Sequence, residues 1–178
     1  MKTYIIAIVL WTVVATPLCG QSYRTVESSV SFYSSAPLED IKADNEEVIG
    51  VFNAATGAIA FVVQIKGFQF AKSLMQQHFN ENFMESDKYP RATFEGRLSG
   101  YNLNASGKQD ASVKGKMTIH GVTREMEIDG EFEVKDGLKM KAVFPIELED
   151  HDIDIPKILF QKIAEEVEVT VNFTFKKD

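Results

Sequence analysis

The chain has 178 residues, with 26 acidic side chains against 19 basic ones, a net charge of −7 and a single cysteine. The acid is spread along the chain without a block of either sign, which argues against nucleic acid or an anionic membrane surface as its partner. A disulfide framework is excluded, so stability must come from one apolar core, and the length suits a single domain.

The N-terminal residues read as a secretory signal peptide. Lys2 precedes an apolar run over residues 4–14, which Pro17, Gly20 and Gln21 then end. The run is too short for a bilayer span, which takes about 20 residues, and no later segment approaches that length. Residues 1–20 are expected to be cleaved, leaving an exported domain over 21–178. Lipid attachment at Cys19 is the other reading, but bulky Leu18 stands where lipoprotein processing takes a small residue. Cleavage after Gly20 removes the only cysteine.

From there period-two alternation recurs, the mark of strands with one buried face. The inward sets run Val26, Val30, Phe32; then Val48, Gly50, Phe52; and, after a turn at Thr56 and Gly57, Ile59, Phe61, Val63, Ile65. Residues 71–80 break the pattern, with Leu74, Met75 and His78 at helical spacing, and a loop leads to Pro90. Strands resume with Ala92, Phe94, Gly96, Leu98, then Val113, Gly115, Met117, Ile119, then Met126, Ile128, Gly130, Phe132. Lys135, Asp136 and Gly137 supply hairpin chemistry before Leu138, Met140, Ala142, Phe144, Ile146 and Leu148. A second short helix is expected over 156–164, and the last strand carries Val167, Val169, Val171, Phe173 and Phe175.

Eight antiparallel strands can hide their apolar faces as a two-sheet sandwich or as a closed barrel. Glycines inside four inward sets favour the barrel, whose corners need sharp bends. The fold expected is therefore all-β, an eight-stranded antiparallel lipocalin-like barrel with one or two short capping helices, large enough to enclose one small ligand.

Catalytic and metal signatures are weak. His78, His120 and His151 have no local ligand spacing. Glu147, Glu149, Asp150, Asp152 and Asp154 lack the central glycine and terminal glutamate of a calcium loop and read as a solvated strand face. Nucleophile and phosphate-binding motifs are missing, so neither a catalytic residue nor a metal or cofactor is assigned. Asn104-Ala105-Ser106 and Asn172-Phe173-Thr174 match glycosylation sequons, which a bacterial origin would leave meaningless.

Three blocks in order, HFNENFMESDKYPRATFEG, TIHGVTR over 118–124 and LEDHDIDIP over 148–156, resemble the YceI-like proteins across the expected domain. The resemblance implies an exported bacterial protein, periplasmic or secreted, whose extended lipocalin-like barrel holds a polyisoprenoid. His151 departs from it, standing where relatives often carry an aromatic residue. On this reading Phe32, Phe52, Phe61, Val63, Ile65, Phe94, Leu98, Met117, Ile119, Phe132, Phe144, Ile146 and Phe173 line the ligand cavity. His78, Phe79, Phe83, Tyr89 and His120 shape or cover its mouth. Burying about ten carbons at ~0.8 kcal/mol each returns ~8 kcal/mol, within the 4–15 kcal/mol estimated cost of association, so tail burial alone can make affinity. The partner expected is a long-chain isoprenoid or similar lipid, with no nucleic acid and no transmembrane span, and a homodimer is a further candidate. Two other classes stay open: a structural or stress-protective envelope protein with a self-filled core, and an enzyme acting on a small apolar substrate in the same cavity.

Overall fold

The structure is a computed structural model describing residues 21–35, 40–135, 137–155 and 164–178. The expected signal peptide, Cys19 and nearly all of the second expected helix lie outside these residues. The described chain forms β1 (Ser22–Ser34), β2 (Ile41–Asn45), β3 (Val48–Asn53), β4 (Ala58–Gln64), β5 (Gln69–Phe70), helix α1 (Ser73–His78), β6 (Arg91–Ser99), β7 (Gly107–Ile119), β8 (Val122–Val134), β9 (Leu138–Glu147) and β10 (Glu166–Lys177). Every pairing is antiparallel. Eight strands close a ring in the order β1-β3-β4-β6-β7-β8-β9-β10, with β10 returning to β1. Closure removes the edges of a sheet this size, so the expected barrel is the architecture found.

Two strands were not visible in the sequence pattern. In β2, Ile41, Ala43 and Asn45 are buried between exposed Lys42 and Asp44, a run too short and too polar to register as a strand. It pairs with the upper part of β1, while β3 pairs with the lower part, and β5 adds to the far side of β2. Between β2 and β3 the ladder is interrupted, and a bulge in β1 between Thr25 and Glu27 turns Val26 outward, against the inward position expected of it. Hydroxyl groups bridge the interruption. Thr25 Oγ1 accepts the Gly50 N–H at 2.9 Å, and Ser28 Oγ accepts the Val48 N–H at 3.2 Å while donating to Glu46 O at 2.9 Å.

The helix is shorter than its pattern suggested. It ends at His78 and continues as one wide turn, Phe79–Phe83, closed by Met84 N–H donating to Phe79 O at 2.8 Å, five residues back. Phe79 and Phe83 border the barrel interior, whereas Leu74, expected with Met75 and His78 on the buried face, is 62% exposed. The acidic stretch after β9 likewise leaves the strand pattern, forming a single helical turn, Glu149–His151, with Asp152 left-handed at φ 52°.

The β3–β4, β6–β7 and β8–β9 connections lie at one end of the barrel, called lower here, with both described termini. Asp178 N–H donates to Ser22 O at 3.0 Å there. Three fully buried rings, Phe52, Phe132 and Phe175, fill this end, with Phe52 edge-on to the other two at 6.0 and 6.3 Å and to Tyr101 at 5.3 Å. The Tyr101 hydroxyl donates to Ala54 O at 2.9 Å, giving the one polar tip in the group its partner. Higher up, Gly96 and Gly115 face each other across β6 and β7, and the Phe94 ring lies over both. A β-carbon on either would meet backbone first, Lys114 O at 2.7 Å from Gly96 and Glu95 O closer still from Gly115, and then that ring, so these glycines allow a close approach of the two strands and leave room for an inward aromatic.

Candidate functional site

Above the aromatic floor the barrel encloses a cavity of about 260 Å³, close to the lower end of the range for small-molecule sites. Phe61 stacks on Phe173 at 4.2 Å near its base, and Phe132 reaches it from the floor. Leu98 borders it low on β6, Val63, Phe94, Met117, Phe144 and Ile146 form its middle wall, and Phe32, Ile65 and Ile119 lie higher up. Twelve of the thirteen expected lining residues thus meet the cavity. Phe52 does not, because it lies below Phe132 in the floor, packed against rings on every side.

At the upper end an aromatic cluster converges on Phe79. Phe32 stacks on it at 5.6 Å, and Phe68 and Phe70 approach it at 5.6 and 5.0 Å. Phe83 and Met84 continue this roof over Ile65 and Ile153. Phe68 and Phe70 were missed by sequence reasoning, although the alternation of Phe68, Gln69 and Phe70 offers a signal. The wall is almost wholly apolar. Ser34 has its hydroxyl engaged by Ala164 N–H at 3.0 Å, and among the described residues Glu131 and Lys141 are the charged ones that touch the cavity.

The other expected mouth residues do not reach the cavity. His78 is exposed at the end of α1. His120 and Gly121 form the two-residue turn between β7 and β8, both left-handed at φ 51° and 79°, the geometry a tight hairpin requires. The His120 ring is fixed from three sides: Nδ1 donates to His151 O at 3.2 Å, Nε2 lies 2.9 Å from Glu85 Oε2, and Tyr89 meets it edge-on at 4.5 Å. Buried His151 in turn places Nδ1 3.2 Å from Val122 O. This cluster ties the roof segment, the β7–β8 turn and the turn after β9 into one unit beside the cavity. Among the described residues no group of three or more His, Cys, Asp or Glu converges as a metal would need. No helix among them is long and apolar enough to cross a membrane.

A closed antiparallel barrel around an apolar chamber defines a lipocalin-like architecture. The chain belongs to the YceI-like family, whose domain model matches residues 23–175. Among solved structures it is similar to a polyisoprenoid binding domain from Saccharophagus degradans implicated in plant cell wall breakdown, at 13% identity and a TM-score of 0.76, over 89% of this chain and 99% of that one. It is also similar to Burkholderia cenocepacia BcnA, at 17% identity and a TM-score of 0.69, over 82% and 94% of the two chains. The Campylobacter jejuni YCEI protein matches at 14% identity and a TM-score of 0.55, over 100% and 99%. At these identities the likeness concerns the fold. No curated protein matches the sequence.

Proposed function

We propose that this protein binds the apolar tail of a polyisoprenoid or similar long-chain lipid and carries or sequesters it outside the cytoplasm, periplasmic or secreted. The cavity carries this reading: a barrel chamber whose lining is almost wholly apolar favours an apolar ligand, since polar groups buried there would lose their water without gaining partners. A similar fold in a polyisoprenoid binding domain supports the lipid class. We read it as a binding protein: among the described lining residues the Ser34 hydroxyl is already engaged by Ala164 N–H, and the two charged side chains, Glu131 and Lys141, sit on the outer faces of their strands, not over the apolar chamber.

Native mass spectrometry of the exported protein, followed by organic extraction, tests this directly. A copurifying lipid is expected, and adding an isoprenoid alcohol at 100 times its dissociation constant should stabilise the fold by about 2.7 kcal/mol. If no lipid copurifies and added isoprenoids leave the melting temperature unchanged, the carrier reading fails and a self-filled envelope protein takes its place.

A further inference from the structure

The barrel wall is unzipped along half of one seam. β8 pairs with β7 over its full length, and β9 pairs with β10 over its full length, yet β8 and β9 pair with each other only from Gly130 and Ala142 down to Val134 and Leu138. Above that point both strands continue, each held on its far side, with no pairing between them among the described residues. The gap is bounded at the top, where the turn after β9 is tied back to β8: Arg124 Nε donates to Asp150 O at 2.7 Å, and His151 Nδ1 lies 3.2 Å from Val122 O. It is a window in the wall with a closed upper rim, not a frayed end.

We propose that this window is a lateral portal through which an apolar chain enters and leaves the cavity. The inference rests on the reading that the cavity holds such a chain. The cavity itself reaches the lower corner of the window. Glu131 and Lys141 stand opposite each other on the outer faces of their strands, yet both border the cavity there, beside small Gly130 and Ala142. Ile128 on β8 and Phe144 on β9 border the cavity on either side just above, so the sill is apolar.

The sequence keeps the window open. Where the seam is zipped, opposite charges face each other, Glu131 against Lys141 and Glu133 against Lys139. Continuing that register upward would set Asp129 against Val143, Glu127 against Pro145 and Glu125 against Glu147. Those pairings offer a charge facing an apolar group, a proline without an N–H, and two like charges. Proline within a strand belongs where the strand is locally an edge, and Pro145 sits in the open stretch of β9. Val143 is 48% exposed beside it, an apolar step from solvent to the sill.

Closing the window tests the proposal. Asp129→Cys with Val143→Cys, in a Cys19→Ser background, places thiols on the outer face and leaves the cavity wall unchanged, and oxidation draws the seam together. Lys139→Cys with Thr174→Cys spans the zipped β9–β10 seam as control. With anthraniloyl-farnesol as probe, the oxidised window variant should take up and release the probe about tenfold more slowly, recover on reduction, and keep its equilibrium affinity, while the control is unaffected. Unchanged rates with the crosslink verified by mass would overturn the portal and leave the carrier reading standing. Failure of the unlinked protein to bind any probe would overturn the carrier reading as well. Hydrogen exchange gives a second measurement without a crosslink: seam-facing amides of β8 above Gly130 should exchange about tenfold faster than those below it. Equal protection, or protection that appears with protein concentration and so assigns the seam to a second copy, would overturn the proposal.

Discussion

Glu147 shows how a single carboxyl at the barrel surface can set a pH dependence. It faces Glu166 across β9 and β10, and its pKa is raised above the ordinary glutamate value, first by desolvation, then by a hydrogen bond with Glu166 and by the negative charges of Glu166, Asp150 and Glu165. The native state therefore holds this proton more tightly than the unfolded chain. The stability it contributes is complete below the unfolded pKa and is lost as pH rises through the raised folded value. Glu147→Gln should consequently melt at a higher temperature than the parent near neutral pH, with the difference vanishing in acid below the usual carboxylate range. Melting curves at both conditions check this, and an equal difference at both would place the effect elsewhere.

At the level of elements, the short helix and the wide turn after it act as one roof. A turn of Phe79–Phe83 adds a residue per turn to the helix and so aims Phe79 at Phe32, Phe68 and Phe70. Phe79 is half-buried, so Phe79→Ala should cost about 2 kcal/mol in chemical denaturation, roughly half the loss for a fully buried phenylalanine. Its larger effect should be kinetic, with faster release of a bound isoprenoid in stopped-flow fluorescence because the roof loses its central ring. A stability loss with unaltered release would make the ring cluster a packing device only.

Across the whole molecule the barrel divides into a solid lower end and a hollow upper one, and Phe132 stands at the boundary, fully buried yet bordering the cavity. Phe132→Ala should destabilise the fold by about 3–5 kcal/mol, a drop in melting temperature of roughly 6–20 °C for a chain this size. The void it leaves is continuous with the cavity, so a longer lipid should fill it. Saturating ligand is expected to recover more of the melting temperature in the variant than it adds to the parent, as differential scanning fluorimetry would show. Equal increments would mean that the floor collapses into the void.

How much of this was legible beforehand follows from what sets each feature. Period-two alternation marked which side chains face inward, because a strand offers only two faces, whereas that twelve of them line a cavity and not a dry core followed from the resemblance and not from spacing. It could not separate Phe52 from Phe132, since both alternate alike and only the stacking of layers along the barrel axis tells floor from wall. Val26 was misassigned because a bulge shifts the register by one without changing composition, and the roof residue Phe70 belongs to a strand of two residues, paired only with β2, with Phe68 just before it. The sequence by itself determined an all-β chain with an apolar interior, since hydrophobic burial is a property of composition and period, while closure into a barrel rests on β10 pairing with β1. The depth of the cavity, the roof over it and the unzipped seam were decided by tertiary structure, because each depends on which strands meet and for how long, a matter of pairing between residues far apart in the chain.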